Sequence, residues 1–168
     1  MTHDPGSELV DVVDDKGRVV GVVTRRVMRE ARLPHRCTYI LVFNSRGELF
    51  IHLRTPSKDV FPSHWDVTVG GVLVAGESFD EGAQREAIEE LGVETAMLER
   101  LFPFVYSDVR TIVHSMVYRL VSEGPFQLQA EEIIRGEFVP LETIATRSTR
   151  DPFCPDGLAV LRHYMHTA

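Results

Sequence analysis

The sequence predicts an α+β fold, a mixed β-sheet flanked by helices and entered through an N-terminal β-hairpin and short helix. Three observations carry this. Residues 8–24, ELVDVVDDKGRVVGVVT, alternate and turn at 15–17, the pattern of a β-hairpin. Residues 79–91 place Phe79, Ala83, Ala87 and Leu91 at four-residue intervals, which makes one apolar stripe at about 100° per residue. Strand patterns and helix patterns are interspersed rather than regularly alternating, which favours a mixed sheet with flanking helices.

Taken in order, Thr24 after the hairpin is a capping residue for a short helix, RRVMREARL (25–33), stopped by Pro34. Strands follow at 38–43 and 49–53 around a turn containing Gly47. A loop with Pro56 and Pro62 leads to WDVTVGGVLV (65–74), a strand broken by two glycines. The helix 79–91 starts at Ser78, which forms an S-x-x-E capping box with Glu81, and ends at Gly92. Two long strands are predicted in 97–109 and 109–121, one more in EFVPL (137–141), and a closing helix over 156–167.

Composition bounds the function. A chain of 168 residues is expected to form one domain, with 1–36 as an extension and 37–168 as the core. A net charge of −7 excludes nucleic-acid binding through a basic surface. No apolar run reaches membrane-spanning length, and MTHDPGSELV lacks the basic and apolar parts of a signal peptide. The expectation is a soluble, cytoplasmic protein with no membrane partner. The two cysteines, Cys37 and Cys154, are far apart, without the spacing of a metal site or a disulfide framework.

The predicted helix 79–91 poses the functional question. REAIEELG (85–92) puts Glu86, Glu89 and Glu90 at i, i+3 and i+4, where like charges each cost about 0.2–0.5 kcal/mol per pair. Gly82, one turn earlier, lies on the same arc and costs about 1 kcal/mol relative to alanine. Glu86 and Glu90 border the apolar stripe. Such crowding is explained by a cation held between the carboxylates; the bland alternative is a solvated helix face.

The wider stretch GVLVAGESFDEGAQREAIEELGV (71–93) resembles the Nudix box, G-x5-E-x7-R-E-U-x-E-E-x-G-U with U bulky and aliphatic. Gly71, Glu77, Arg85, Glu86, Glu89, Glu90, Gly92 and Val93 match; Ala87 departs, being small at the first U position. The resemblance implies an α/β/α sandwich of the Nudix type and hydrolysis of a pyrophosphate linkage by attack of water on phosphorus. It implies Glu86, Glu89 and Glu90 as ligands of Mg²⁺ or Mn²⁺, hard ions that take oxygen donors. The backbone carbonyl of Gly70 is a further candidate ligand. Glu77 and Arg85 become supports, Arg85 pairing with a carboxylate and orienting it. Glu132, with Glu131 close behind, is the candidate general base, since members of the family often carry a further ligand or base ahead of a late strand. Both glutamates also fit a solvated loop.

The chain before the box also looks like the Nudix branch that includes isopentenyl-diphosphate isomerases. Aligned from Trp65, the isomerase catalytic cysteine falls at Gly70 and its metal-binding histidine at Val72, so both groups are missing. His35 falls near another isomerase metal position, where a structural histidine is the alternative. An isomerase and a non-catalytic nucleotide-binding module are the competing functions. The expected partner is a small-molecule diphosphate, a nucleotide first. Arg54, Lys58 and Arg110 are candidates to hold phosphates. Trp65, Phe61, Tyr106 and Phe104 are candidates to stack on a base, each with a place in the core as the alternative. His163 and His166 are expected on a solvated face of the last helix rather than as a metal pair.

Overall fold

The structure is a computed structural model and describes residues 3–168. A 3-10 turn at Pro5–Ser7 leads into the hairpin β1 (Leu9–Val13) and β2 (Val19–Thr24), then helix α1 (Arg25–Glu30). Thr24 caps α1 by accepting from the Val27 amide. The helix stops three residues short of Leu33, because Arg32 turns into the left-handed region at φ 51. Strands β3 (His35–Phe43) and β4 (Leu49–Arg54) follow, then β5 (Trp65–Asp66) and α2 (Phe79–Leu91). The chain closes with β6 (Glu99–Ser107), β7 (Ile112–Val121), β8 (Ile133–Val139), α3 (Leu141–Arg147) and α4 (Pro155–Thr167).

All eight strands join one mixed sheet. β3 pairs with β7 in parallel along its whole length, while β6 on β7, β8 on β4 and β2 on β1 are antiparallel. Side chains alternate across a strand, and β3 is buried on both faces. Ile40 and Val42 face one way, with Phe50, Val69, Tyr118 and Leu120, and meet Ala83, Ala87 and Leu91 of α2. Tyr39, Leu41 and Phe43 face the other way and meet Met28, Ile144, Val160 and Leu161 from α1, α3 and α4. Helices thus cover both faces, the predicted sandwich. No helix among the described residues is long and apolar enough to cross a membrane.

The strand expected over 137–141 runs instead over Ile133–Val139, with Pro140 and Leu141 opening α3, and two further segments depart from the sequence pattern. The segment expected as one broken strand is strand only at Trp65–Asp66; beyond it Val69 and Val72 touch β3 as single bridges to Ile40 and Cys37. Gly70, at φ +140, breaks the run. Helix α3 was not foreseen: it has no side-chain cap, and its threonines and isoleucine are weak helix formers.

Candidate active site

Helix α2 is built to hold a fixed position. Ser78 accepts from the Glu81 amide at 3.2 Å, the Glu81 carboxylate accepts from the Ser78 amide at 2.8 Å, and Gly92 closes the far end at φ 70. Ala83 and Ala87 are fully buried against the sheet. The small residue at the departing position of the motif therefore sits directly on the sheet. Glu86 and Glu90 flank this stripe and are drawn in with it, leaving them 7% and 6% exposed.

Arg85 organises the neighbouring acids. It grips Glu77 with two hydrogen bonds, Nε to Oε1 at 2.7 Å and Nη2 to Oε2 at 3.0 Å. Its Nη1 reaches Glu86 at 3.0 Å and Glu89 at 3.2 Å, and Nη2 donates to the Val72 carbonyl at 3.3 Å. Glu77 also accepts from the Val74 amide at 3.1 Å. A bidentate guanidinium–carboxylate pair fixes orientation as well as charge. Gly82 makes room for this pair: a Cβ there would stand 3.2 Å from Glu77 Oε2.

The glycine pair forms the floor opposite α2. A Cβ on Gly71 would stand 2.8 Å from Glu86 Oε1, and one on Gly70 would run into the Thr38 carbonyl. The Gly70 amide points to Glu90 Oε2 at 3.4 Å. The carbonyls of Val69 and Gly71 accept from Ile40 and Thr38, and that of Gly70 has no such partner among the described residues. Together these groups line a polar cleft of about 480 Å³ that also holds Lys58, Gln129, Glu132, Glu8 and Arg25.

Burial pushes the Glu86 carboxyl up to about 7, with Arg85 pulling it down and Glu89 pushing the same way as burial. Glu90 is raised well above the usual carboxylate range by burial and then by the charge of Glu86. Two buried acids that resist ionising together are a poor structural element and a good site for a cation, which removes both penalties. Oxygen donors of this kind fit Mg²⁺ or Mn²⁺. No three His, Cys, Asp or Glu side chains among the described residues are already gathered in metal-binding geometry. Glu89 accounts for part of this: its side chain is 46% exposed and turned to Arg85.

Glu132 reaches the cleft because the segment before it is tied to the end of α2. The Gln127 and Gln129 amides donate to the carbonyls of Leu91 and Glu90 at 3.0 and 3.2 Å, taking up orphan acceptors of the last turn. Glu132 then pairs with Lys58. Glu131 lines outer grooves instead, and its carbonyl accepts from Thr55 Oγ1.

Other sequence candidates are placed elsewhere. Trp65 is 6% exposed and packs in the core beside Phe153, with the Arg147 and Arg135 guanidiniums on its ring at 4.3 and 5.3 Å. It is no stacking platform. Arg110 lies over Phe61 at 5.0 Å and lines neither the cleft nor the cavity behind it. Phe61 is buried. Phe104 packs on His163 at 5.4 Å, and Tyr106 donates to Asp108 at 3.1 Å, both on β6 away from the cleft. Arg54 lines the cavity behind the cleft, but its donors are taken by the carbonyls of Val60 and Phe61 and by Asp66. It clamps a loop. His35 is buried, bonded through Nδ1 to the Leu33 carbonyl at 3.0 Å, and held down near 4 by burial.

The cleft residues missed from the sequence are His3, Pro5, Glu8, Arg25 and Gln129. Arg25 follows the capping Thr24, so its helix position was legible, but nothing local links it to residues 60 positions on.

The NUDIX domain profile matches residues 33–158. An uncharacterised Nudix hydrolase of Pseudomonas aeruginosa is 40% identical over 167 residues, covering 98% of this chain and 99% of the relative. A crystal structure of a Deinococcus radiodurans protein superposes with a TM-score of 0.80 at 31% identity, over 93% of this chain and 98% of that one. The Nudix domain of Shewanella oneidensis NrtR, solved with ADP-ribose, shares the fold at a TM-score of 0.63 and 18% identity, over 79% and 86%. With eight box positions matched, the helix they encode packed as described, the domain profile matched over most of the chain and a relative 40% identical over nearly all of it, the protein belongs to the Nudix hydrolase family.

Proposed function

We propose that the protein is a metal-dependent hydrolase of an organic diphosphate, with nucleoside di- and triphosphates as the first class to assay, and that residues 3–168 act as one unit in which the segment before residue 37 completes the cleft. The observation that carries this is the pair Glu86 and Glu90, buried together under a glycine floor and braced by Arg85 and Glu77. Glu86, Glu90 and the Gly70 carbonyl are assigned to hold Mg²⁺ or Mn²⁺, with Glu89 swinging from Arg85 to join them. The ion, when bound, neutralises charge on the diphosphate oxygens.

The chain's own groups supply the rest. Arg85 and Glu77 keep Glu86 in place. Lys58 offers charge to the phosphates from the opposite wall. Glu132 takes the proton from the attacking water as its oxygen bonds to phosphorus and the bridging P–O bond breaks, the electron pair leaving with the departing phosphate. The isomerase alternative requires a thiol at position 70, where there is no space for a Cβ.

The test is phosphate and pyrophosphate release with Mg²⁺ or Mn²⁺, across nucleoside mono-, di- and triphosphates, nucleotide sugars and isopentenyl diphosphate. Glu90→Gln runs in parallel. Release from diphosphate compounds that falls at least about a hundredfold in the variant is expected. No release from any of them, or full activity in the variant, defeats the assignment.

A further inference from the structure

Behind the glycine pair lies a second cavity, of about 80 Å³, several times the room one water needs. It is enclosed by α1, β3, the loop 54–61, the start of β7 and the first turn of α4, and it meets the carboxylate cleft across Gly70, Gly71, Val72, Lys58 and Arg25, which line both. A group attached to a diphosphate in the cleft would extend into it.

Its wall has an unusual hydrogen-bond balance. Among the described residues, eight buried side-chain polar atoms have no partner, and five of them belong to side chains lining this one cavity. They are His35 Nε2, Thr38 Oγ1, Thr111 Oγ1 and Asp156 Oδ1, together with Arg25 Nε, which makes no hydrogen bond and has only its 3.5 Å ion pair with Asp59. His35, Thr38 and Thr111 are almost wholly buried. Leaving such atoms unmatched costs about 1–3 kcal/mol each, so five in one place mark a surface shaped for something that bonds to them. Their roles follow from chemistry. His35 commits its Nδ1 proton to the Leu33 carbonyl, which leaves Nε2 as an acceptor. Asp156 receives the Tyr39 hydroxyl on Oδ2 at 2.9 Å, and Oδ1 remains an acceptor. Arg25 Nε donates, and the two threonine hydroxyls do either.

The cations of the wall are already paired, and, among the described residues, its one carboxylate outside an ion pair, Asp156, accepts only the Tyr39 hydroxyl. Arg29 and Arg25 pair with Asp59 at 3.2 and 3.5 Å, Arg54 with Asp66 at 3.6 Å, and Lys58 with Glu132. A second anionic group would find no unpaired cation here. Groups that both donate and accept, without net charge, match the five atoms.

Resting on the assignment of the cleft to a diphosphate, we propose that this cavity receives the organic group the diphosphate carries, and that this group is small, uncharged and hydroxyl-bearing, a sugar rather than a hydrocarbon chain. Thr111 and Asp156 are then specificity residues.

Two five-carbon probes separate the alternatives: ribose 5-diphosphate and isopentenyl diphosphate, with binding measured by calorimetry in Mg²⁺. The ribose compound is expected to bind at least about tenfold tighter, because a site built to bond hydroxyls rejects a ligand without them. Thr111→Val and Asp156→Asn should each remove most of that preference, while Thr111→Val melts no lower than the wild type, since the hydroxyl it deletes has no partner. Equal affinities, or a preference that survives both variants, would mean that the cavity holds only solvent, and tighter binding of the isopentenyl compound that it takes a hydrocarbon chain; each would overturn the proposal. Phosphate release from the same probes is read separately. A ribose preference without hydrolysis defeats the hydrolase assignment alone, hydrolysis without preference defeats the cavity assignment alone, and no binding of either defeats both.

Discussion

Helices α2 and α4 are each thirteen residues long and lie on opposite faces of one sheet, yet they are built on different principles. α4 starts with Pro155 at its first position and no side-chain cap, places its acid Asp156 in the first turn, and buries Gly157, Val160 and Leu161. An acid there is favoured by the helix dipole. α2 is sealed at both ends, and its inward acids Glu86 and Glu90 stand in its second half, with no basic residue in its last turn. That end of a helix disfavours negative charge by about 0.3–1 kcal/mol per residue. The difference teaches where folding and function part. Beyond its first turn, where Asp156 faces the cavity, α4 is what packing alone produces, whereas α2 carries charges that its fold would be more stable without, and the capping box and Arg85 offset them.

The strongest way to break this contrast is Glu86→Gln. Turnover is expected to fall at least about a hundredfold while the metal-free protein melts at the same temperature or higher, and the rise in melting temperature with millimolar Mg²⁺ shrinks, because stabilisation by a ligand follows its affinity. Full activity would reduce α2 to a packing helix like α4. The mirror experiment is Leu161→Ala. Loss of a buried leucine is expected to cost about 2–5 kcal/mol in urea unfolding, with turnover per folded molecule unchanged. A collapse of turnover in the folded fraction would show that α4 is coupled to the cleft.

Acid sharpens the contrast through two buried histidines, His35 on the sheet face away from α2 and His52 beside Phe50 on the face toward it. His35 and His52 are buried and held neutral, near 4 and 3, by burial first: for His35 the hydrogen bond to the Leu33 carbonyl opposes it, Arg29 and Arg25 add to it and Asp59 opposes weakly, and for His52 Arg54 and Lys58 add to it and Glu132 opposes. Both lie below the unfolded value of about 6.5, so their stabilisation is complete above that pH and is lost as pH falls toward 4 and then 3. The slope is up to about 1.4 kcal/mol per pH unit for each. The difference in unfolding free energy between wild type and His35→Gln should therefore narrow between pH 6.5 and 4; a constant difference would refute a neutral His35. The smallest effect expected is from Ser78→Ala, about 1 kcal/mol of stability from the lost cap, with turnover falling only slightly. An unchanged melting temperature would remove capping from the account of α2.

What was legible in the sequence was local. The capping box, the terminating glycine and the fixed spacing of the box lie within 23 consecutive residues, and they located α2 and its carboxylates before any coordinates. The hairpin and long strands were legible through alternation. Contacts between distant segments were not: Lys58 and Glu132 are 74 positions apart, and each alone looks like a solvated charge. Trp65 illustrates the reverse error. At the start of the strand expected over 65–74, an aromatic residue reads either as a stacking surface or as core, and only packing decides for the core, with Phe153 beside it and two arginines on its ring. Helix α3 was hidden because its existence depends on tertiary burial of Ile144 rather than on propensity.

The position of Gly70 bears on how chemistries diversify within one fold. Aligned from Trp65, this is where the isomerases carry their cysteine, and a glycine codon becomes a cysteine codon by one base change. Here the backbone at Gly70 lies against the Thr38 carbonyl with φ +140, a conformation closed to any other residue. That base change would install no thiol at the cleft; it would dislodge the strand segment beneath the carboxylates. A thiol at position 70 of this chain would therefore need a rearrangement of the main chain before it could face the cleft.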